Sequence, residues 1–445
     1  MDLVEYDGYC SEYYNMKAIL SNRIYLTADA KRQQELDMEL TYSIPSYNPL
    51  DPPTVIKNMS RINKNLVSIP IGRMDLIEEG TEIVDKRIEV PVENFPEFQF
   101  DLRESQAQVF SNVNDSAIIN AFVSWGKTFT ALAIASKLKQ KTLIVVHTLA
   151  LRKQWEDEVV KCFNIQPGVI GSGKFNIEPP IVVSNVQTLG KKISEISKMF
   201  GTIILDEMHH VSAPTFSNIV DKSFARYKIG LSGTLKRKDG KHILFNDYFG
   251  FDVHQPRKEN YMTPRVVLVK SDFRFPDAAK MPWAKRVNAI AYDKEYQKFV
   301  AQLASVYAAK GHKVLVVSDR VQLLKGCAEL TGNNSTCITG ELSNEERQSE
   351  IKKIREGKLD ILYGSQSIFS EGISVNELSC LILGTPLNNE PLLIQLIGRV
   401  IRKCENKIQP VVVDIHLKGK TATNQARART GVYISQGYQM QVLGE

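Results

Sequence analysis

Thr202-Ile203-Ile204-Leu205-Asp206-Glu207-Met208-His209 is the stretch on which the fold turns. Four apolar or β-branched residues run straight into two adjacent carboxylates. An unbroken run of this kind reads as a strand buried on both faces, the habit of a parallel sheet covered by helices. Asp206 and Glu207 then lie at the strand's C-terminal end. There Asp206 could hold Mg²⁺ and Glu207 could polarise a water; the plain alternative is a solvated turn. Similar runs lie on either side: Thr142–Val146, Ile181–Val183, Lys228–Leu231, Lys313–Val317, Asp360–Tyr363, Cys380–Leu383 and Val411–Ile415. Amphipathic segments at Lys127–Lys139, Leu151–Cys162 and Asn344–Glu356 are interspersed with them. Alternation of strand and helix from about residue 100 onward is the pattern of doubly wound α/β units. A break between two such units is expected near residues 252–264, in a Pro- and charge-containing stretch (HQPRKENYMTP).

Upstream, Ser124-Trp125-Gly126-Lys127-Thr128 follows the apolar Ala117–Ile119 and opens a helical segment. Backbone N–H groups at a helix N-terminus attract anions. A Lys there can reach the outer phosphates of a nucleotide, and a Ser/Thr hydroxyl can bind Mg²⁺. Lys127 and Thr128 meet that requirement, although Ala121 stands where the full GxxxxGK[ST] pattern has its first glycine. Taken alone, the stretch is equally a surface helix start. Downstream, Gln395-Leu396-Ile397-Gly398-Arg399-Val400-Ile401-Arg402 places two arginines at i and i+3, on one face if the segment is a helix. An Arg can stabilise charge on a transferred phosphoryl group; the alternative is an ordinary basic helix face.

The order of these segments resembles the superfamily 2 helicases with a DExH box. Gln106, in Leu102-Arg103-Glu104-Ser105-Gln106, stands where that family reads adenine. Ser124–Thr128 matches motif I. Val145–Leu151, followed by Gln154 and Trp155, is similar to motif Ia and its helix, and Ser184–Leu189 to the next DNA-contacting motif. Asp206–His209 (DEMH) matches motif II, Ser232-Gly233-Thr234 motif III and Val314–Arg320 motif IV. Gly340–Gly357 resembles the segment before motif V, Glu371-Gly372-Ile373 lies in motif V, and Gln395–Arg402 matches motif VI. The match spans about residues 96–415. The sequence departs from the family pattern at Ser124, His147, Leu235 and Ser374, and none of these departures removes a phosphate-binding or Mg²⁺-binding group. The continuation Lys236-Arg237-Lys238-Asp239-Gly240 is most similar to XPB and UvsW-type phage helicases, and Ile69–Leu76 (IPIGRMDL) resembles phage relatives faintly.

The resemblance implies two tandem RecA-like domains, 96–256 and 257–445, after an accessory domain of 1–95 with strand content. ATP and Mg²⁺ would be the cofactors. Arg103, Gln106, Ser124, Trp125, Gly126, Lys127, Thr128 and Gly372 would bind nucleotide, and Thr128 and Asp206 the metal. Lys127, Asp206, Glu207, Arg399 and Arg402 would carry catalysis. His209, Ser232, Thr234 and Gln395 would couple hydrolysis to movement. Thr148, Thr188, Arg320 and Ser365 would touch nucleic acid, chiefly through phosphates. The function expected is ATP-driven unwinding or branch migration of forked, branched or single-stranded DNA. Alternatives are a double-stranded DNA translocase, an RNA helicase, a restriction-enzyme motor subunit, or a nucleic-acid-binding protein with a decayed motor.

Bulk properties agree with a nucleic-acid partner. The net charge of +6 is uneven: residues 1–100 hold ten basic and seventeen acidic side chains, a balance of −7, which leaves +13 on the remainder. A basic body favours a polyanion. Six scattered cysteines form no CxxC pair, so neither zinc nor a disulfide framework is expected. No apolar run is long enough to span a bilayer, and the acidic N-terminus carries no secretory signal pattern. The expectation is a monomeric protein of the cytoplasm, or of the nucleus in a nucleated host, without membrane contact. Tyr6, Tyr9, Tyr13, Tyr14, Tyr25, Tyr42 and Tyr47 crowd the first region. They could stack bases, but packing within a small β-rich core is the better reading.

Overall fold

The computed structural model describes residues 17–44, 52–122, 125–208, 214–233, 244–277, 281–370 and 375–443. The chain divides into two compact units, the first comprising residues 1–122 and 126–257 and the second residues 258–445, with which Trp125 is grouped.

The first unit opens with short strands β1 (Lys17–Leu20) and β2 (Ile24–Thr27), helix α1 (Ala30–Glu39), and β3 (Thr41–Ile44), β4 (Thr54–Lys57), β5 (Ser60–Arg61), β6 (Leu66–Ile69) and β7 (Glu82–Asp85). They form a sheet of order β5-β6-β2-β1-β7 and a separate β3-β4 pair. Alternation decides the buried face: Ala18 and Leu20 of β1 and Ile24 and Leu26 of β2 point inward.

There follow α2 (Glu104–Asn112), β8 (Ala117–Asn120), α3 (Lys127–Leu138), β9 (Thr142–Val146), α4 (Leu149–Phe163), β10 (Gly168–Gly171), β11 (Lys174–Phe175), β12 (Ile181–Asn185), α5 (Val186–Ile196), β13 (Thr202–Leu205), α6 (Pro214–Lys222), β14 (Tyr227–Ser232), α7 (Phe245–Phe249) and β15 (Val253–His254). The sheet order is β11-β10-β12-β9-β13-β14-β8-β15. Every pairing is parallel except β10 with β11. β9, β12 and β13 are buried along their whole length, as their unbroken apolar runs require.

The second unit repeats the plan with β16 (Arg265–Arg274), α8 (Trp283–Ala291), α9 (Lys294–Ala309), β17 (Lys313–Ser318), α10 (Val321–Thr331), β18 (Ser335–Ile338), α11 (Asn344–Arg355), β19 (Ile361–Ser365), α12 (Gln366–Ser370), β20 (Leu378–Leu383), α13 (Glu390–Val400), β21 (Val411–Lys418), α14 (Lys420–Ser435) and β22 (Gln439–Leu443). Its sheet, β18-β19-β17-β20-β21-β16-β22, is parallel throughout. The architecture is thus α/β with two RecA-like domains and a strand-rich N-terminal region. Among the described residues no helix is long and apolar enough to cross a membrane.

Candidate nucleotide site

β13, β14 and β8 are neighbours in one parallel sheet, so the segments leaving their C-terminal ends emerge side by side. Ser232 at the end of β14 is opposite Asn120 of β8, and Leu205 of β13 is opposite Gly230. The ladder runs one residue further: Ala121 N donates to Ser232 O (3.0 Å) and Asp206 N to Val145 O (3.1 Å). Parallel α/β sheets place ligands at this end of the strands.

Gly126 caps the N-terminus of α3 with φ +97°, a left-handed conformation that glycine adopts without steric cost. A Cβ on it would stand 2.7 Å from Gln106 Nε2 and 3.5 Å from Arg103 Nη2. Arg103 and Gln106 therefore lie directly over the loop. Gln106 is buried at the third position of α2, where its Oε1 accepts from Arg103 N (3.1 Å). The far end of α2 is held by Lys137 of α3, whose Nζ donates to the carbonyls of Phe110, Ser111 and Val113 at 2.8, 3.0 and 2.9 Å. Three carbonyls that the helix leaves unpaired are so satisfied, and α2 and α3 are joined. The sequence signal for this was only a basic residue in the last turn of α3.

Lys127 is the first residue of α3; its Nζ donates to Ala121 O (3.3 Å), and Thr128 beside it is half-buried. Trp125 is buried, as is Ser232. Asp206, 6% exposed, is restrained at both carboxylate oxygens. Its Oδ1 accepts from Glu207 N (2.9 Å) and its Oδ2 from the indole Nε1 of Trp155 (2.8 Å). Burial and the adjacent Glu207 push its carboxyl up; Trp155, Lys127 and the Glu207 N–H pull it back. Glu207 has φ +49°, rare for a residue with a side chain. Left-handed backbone of this kind costs a non-glycine residue about 1–2 kcal/mol, and such outliers cluster at functional sites.

The remaining expected positions fall at the same end of each sheet. Thr148 caps α4, its hydroxyl accepting from Leu151 N (3.2 Å), and Thr188 is in the first turn of α5. Their strands are adjacent, with Val146 opposite Asn185, and Gln187 Nε2 donates to His147 O (3.1 Å) to tie the two loops. In the second unit Arg320 caps α10 and Ser365 ends β19, next to Ser318 of β17. Arg320 Nε and Ser365 Oγ are buried without a hydrogen-bond partner among the described residues. Buried donors left so are uncommon.

Gln395 and Arg399 are half-buried on α13, and Arg399 Nε donates to Phe369 O (2.8 Å). Arg402 differs from the reading of two arginines on one helix face. α13 ends at Val400, and the chain then runs extended to pair Arg402 with Tyr261, Met262 N donating to Ile401 O (2.7 Å). This pairing with a distant segment satisfies the backbone beyond the helix, which a local i, i+3 count does not anticipate. Ser124, His209, Thr234 and Gly372 lie outside the described residues.

Residues 96–237 match the family described as type III restriction enzyme, res subunit, and residues 296–404 the helicase conserved C-terminal domain. Over 430 residues the chain is 43% identical to a protein of Escherichia phage T5 described as a probable helicase, D10, covering 95% of each. The chain belongs to the superfamily 2 helicases. The ATP-dependent DNA helicase uvsW of Enterobacteria phage T4 is 27% identical over 329 residues, 68% of this helicase and 65% of that protein. Among solved structures, Saccharomyces cerevisiae Dbp5 bound to RNA and ADP BeF3 aligns with a TM-score of 0.55 at 12% identity, covering 76% of this chain and 89% of that one. That likeness is one of fold. As a member of this family the protein is an ATP-dependent helicase acting on nucleic acid.

Proposed function

We propose that this helicase uses Mg²⁺-ATP to unwind or branch-migrate forked or junction DNA, with its N-terminal residues 1–95 as an accessory region. The observation that carries the ATP site is that Lys127, after β8, and Asp206, after β13, lie at the C-terminal ends of strands that flank β14 and interact electrostatically, with Gln106 against the Gly126 loop. The choice of DNA rests on the similarity to uvsW, whose name states a DNA helicase, and on the basic balance outside the first hundred residues.

The donor set suits Mg²⁺. Thr128 offers a hydroxyl and Asp206 a carboxylate, hard oxygen ligands, and Mg²⁺ is commonly held by one or two carboxylates plus substrate phosphates. Among the described residues no cluster of three or more His, Cys, Asp or Glu could hold a metal by itself, in keeping with a cation that arrives with its nucleotide. When bound, it would neutralise charge on the phosphates. Lys127 would grip the same phosphates, Glu207 would orient the attacking water, Gln106 would read adenine, and Arg399 and Arg402 would act on the transferred phosphoryl group. Thr148, Thr188, Arg320 and Ser365 would hold the nucleic-acid backbone.

Lys127→Ala and Glu207→Gln should each nearly abolish ATP hydrolysis, and unchanged rates in both would overturn the site. Arg399→Ala should lower hydrolysis by ~10³-fold or more while nucleotide binding changes little. Strand displacement on a panel of forked, overhang and four-way DNA tests the function. Triplex displacement without strand separation would favour a double-stranded DNA translocase. Stimulation by RNA but not DNA would favour an RNA helicase.

A further inference from the structure

Trp155 lies on α4 and is wholly buried, and its indole Nε1 donates to Asp206 Oδ2 at 2.8 Å. We propose that Trp155 is a positioning residue for hydrolysis, its N–H fixing the Asp206 carboxylate in the orientation that receives Mg²⁺. The inference rests on the reading of Asp206 as a metal ligand.

The terminal torsion of an aspartate is broad and weakly quantised, so a carboxylate at a strand end needs outside contacts to hold one orientation. Among the described residues, each oxygen of Asp206 has one hydrogen-bond donor. The Glu207 N–H holds Oδ1, within a turn whose left-handed φ is already unusual. The Trp155 indole, on α4, holds Oδ2. Each oxygen keeps a lone pair beyond the one engaged, so these contacts leave room for a cation.

The indole is itself fixed. Arg152, one turn earlier on α4, donates through Nη1 to Asn185 Oδ1 (2.8 Å), through Nη2 to Ser172 Oγ (3.2 Å) and through Nε to Glu156 Oε1 (3.0 Å). These bonds pin the rotation of α4 against the end of β12. Val159, Cys162 and Phe163 bury the same helix further along. A tryptophan retained only for volume would need no buried acceptor aligned with its single N–H. Here the acceptor is the carboxylate at the centre of the site.

The test is Trp155→Phe in the full chain, which keeps an aromatic ring and removes the N–H. Mn²⁺ binding to the protein–ADP complex is followed by electron paramagnetic resonance, beside ADP binding in EDTA and thermal melting. Outer contacts of a metal-ligating group typically change metal affinity by ~10–100-fold. Trp155→Phe should weaken Mn²⁺ binding by about 10-fold or more and leave ADP binding in EDTA unchanged. Val159→Ala, a buried change one turn on, should lower the melting temperature without moving Mn²⁺ affinity. Wild-type Mn²⁺ affinity in Trp155→Phe, or an equal loss in Val159→Ala, would overturn the proposal. Asp206→Ala separates the two levels: unchanged Mn²⁺ binding there would sink the metal-ligand reading itself. A further measurement does not require Trp155→Phe to fold. In ¹⁵N-indole spectra of the wild type, the Trp155 N–H signal should shift in Asp206→Ala and broaden on Mn²⁺ addition, and a signal unmoved by Asp206→Ala would also overturn the proposal.

Discussion

At Gly126 two independent constraints coincide. Its φ of +97° taxes any side chain, and a Cβ would press on Gln106 Nε2 at 2.7 Å. The first costs about 1–2 kcal/mol, and the second displaces the glutamine above the loop. Gly126→Ala should therefore weaken ATP binding by 10-fold or more, at roughly 1.4 kcal/mol per decade, with only a few degrees lost in melting temperature. Titration with a fluorescent ATP analogue checks it, and wild-type affinity would refute it. Lys228 is a different case, a lysine wholly inside the first unit with its Nζ on Val220 O (3.0 Å). Burial drives its pKa from the ordinary 10.5 down to about 7, against Asp221 and with Arg87 and Arg23. Above pH 7 the folded chain has released a proton that the unfolded chain still binds, so its destabilising contribution, full below pH 7, fades as pH rises towards 10.5. Against Lys228→Met, wild-type stability in urea should gain between pH 7 and pH 9.5; a constant difference between the two would contradict this. Neither residue's environment is written locally: Lys228 sits in a run read correctly as a strand, but its partner is a carbonyl on another element.

Elements were the most legible level. Thr142–Val146 and Thr202–Leu205 are strands to the residue, because an unbroken β-branched run bounded by polar residues has few other uses. Arg402 shows where that legibility stops, since it leaves α13 for a bridge to Tyr261 that no local periodicity encodes. The support of α13 was equally hidden. Arg429 of α14 donates through Nε and Nη2 to both oxygens of Asp414 on β21 (2.8 and 2.7 Å) and through Nη1 to Leu387 O (3.0 Å), in the segment leading into α13. Tyr433 adds its hydroxyl to Asp414 (3.0 Å). Burial opposes ionisation of Asp414, but Arg429 and His416 together keep the carboxyl below its ordinary range. Breaking a buried pair from one side costs about 3–5 kcal/mol because a charge is stranded, whereas replacing both partners with apolar groups costs far less. Arg429→Met and Asp414→Leu should each destabilise the second unit strongly, and the double variant less than their sum. Denaturant midpoints of the four proteins decide it; strict additivity would mean the pair contributes no coupling.

At the scale of the first unit, the N-terminal region and the RecA-like sheet share one core. Leu36, Leu40, Val67 and Ile69 belong to the same buried cluster as Phe245, Phe249, Ile203 and Val145. Its polar centre is Asp247, fully buried, which accepts from Tyr42 Oη (2.8 Å) and Asn58 Nδ2 (2.7 Å) and faces Arg73 Nη1 at 3.6 Å. Gly72 lets the chain close on α7: a Cβ there would meet the Asn246 carbonyl at 2.1 Å, and its N–H donates to Asp247 O (2.9 Å). Ile69–Leu76, a faint family likeness in the sequence, is thus the clamp on the helix that follows the motif III segment. The sequence showed the composition shift near residue 100 but not this joint, because its partners are some 200 positions apart in the chain. Of the tyrosines, Tyr42 is in this core and Tyr25 is half-buried, while Tyr6, Tyr9, Tyr13, Tyr14 and Tyr47 lie outside the described residues. Removing residues 1–95 would take Leu36, Leu40, Val67 and Ile69 out of the shared cluster and Tyr42, Asn58 and Arg73 away from Asp247, and a fully buried apolar side chain is worth about 1.5–3 kcal/mol. Such a loss is comparable with the whole stability of a typical domain. Residues 96–445 should therefore unfold at much lower urea than the full chain, or aggregate. An unchanged midpoint would mean that the shared core contributes little. Nucleic-acid binding by the N-terminal region is for that reason better probed with surface substitutions in the intact chain than by truncation, where lost affinity and lost folding would look alike.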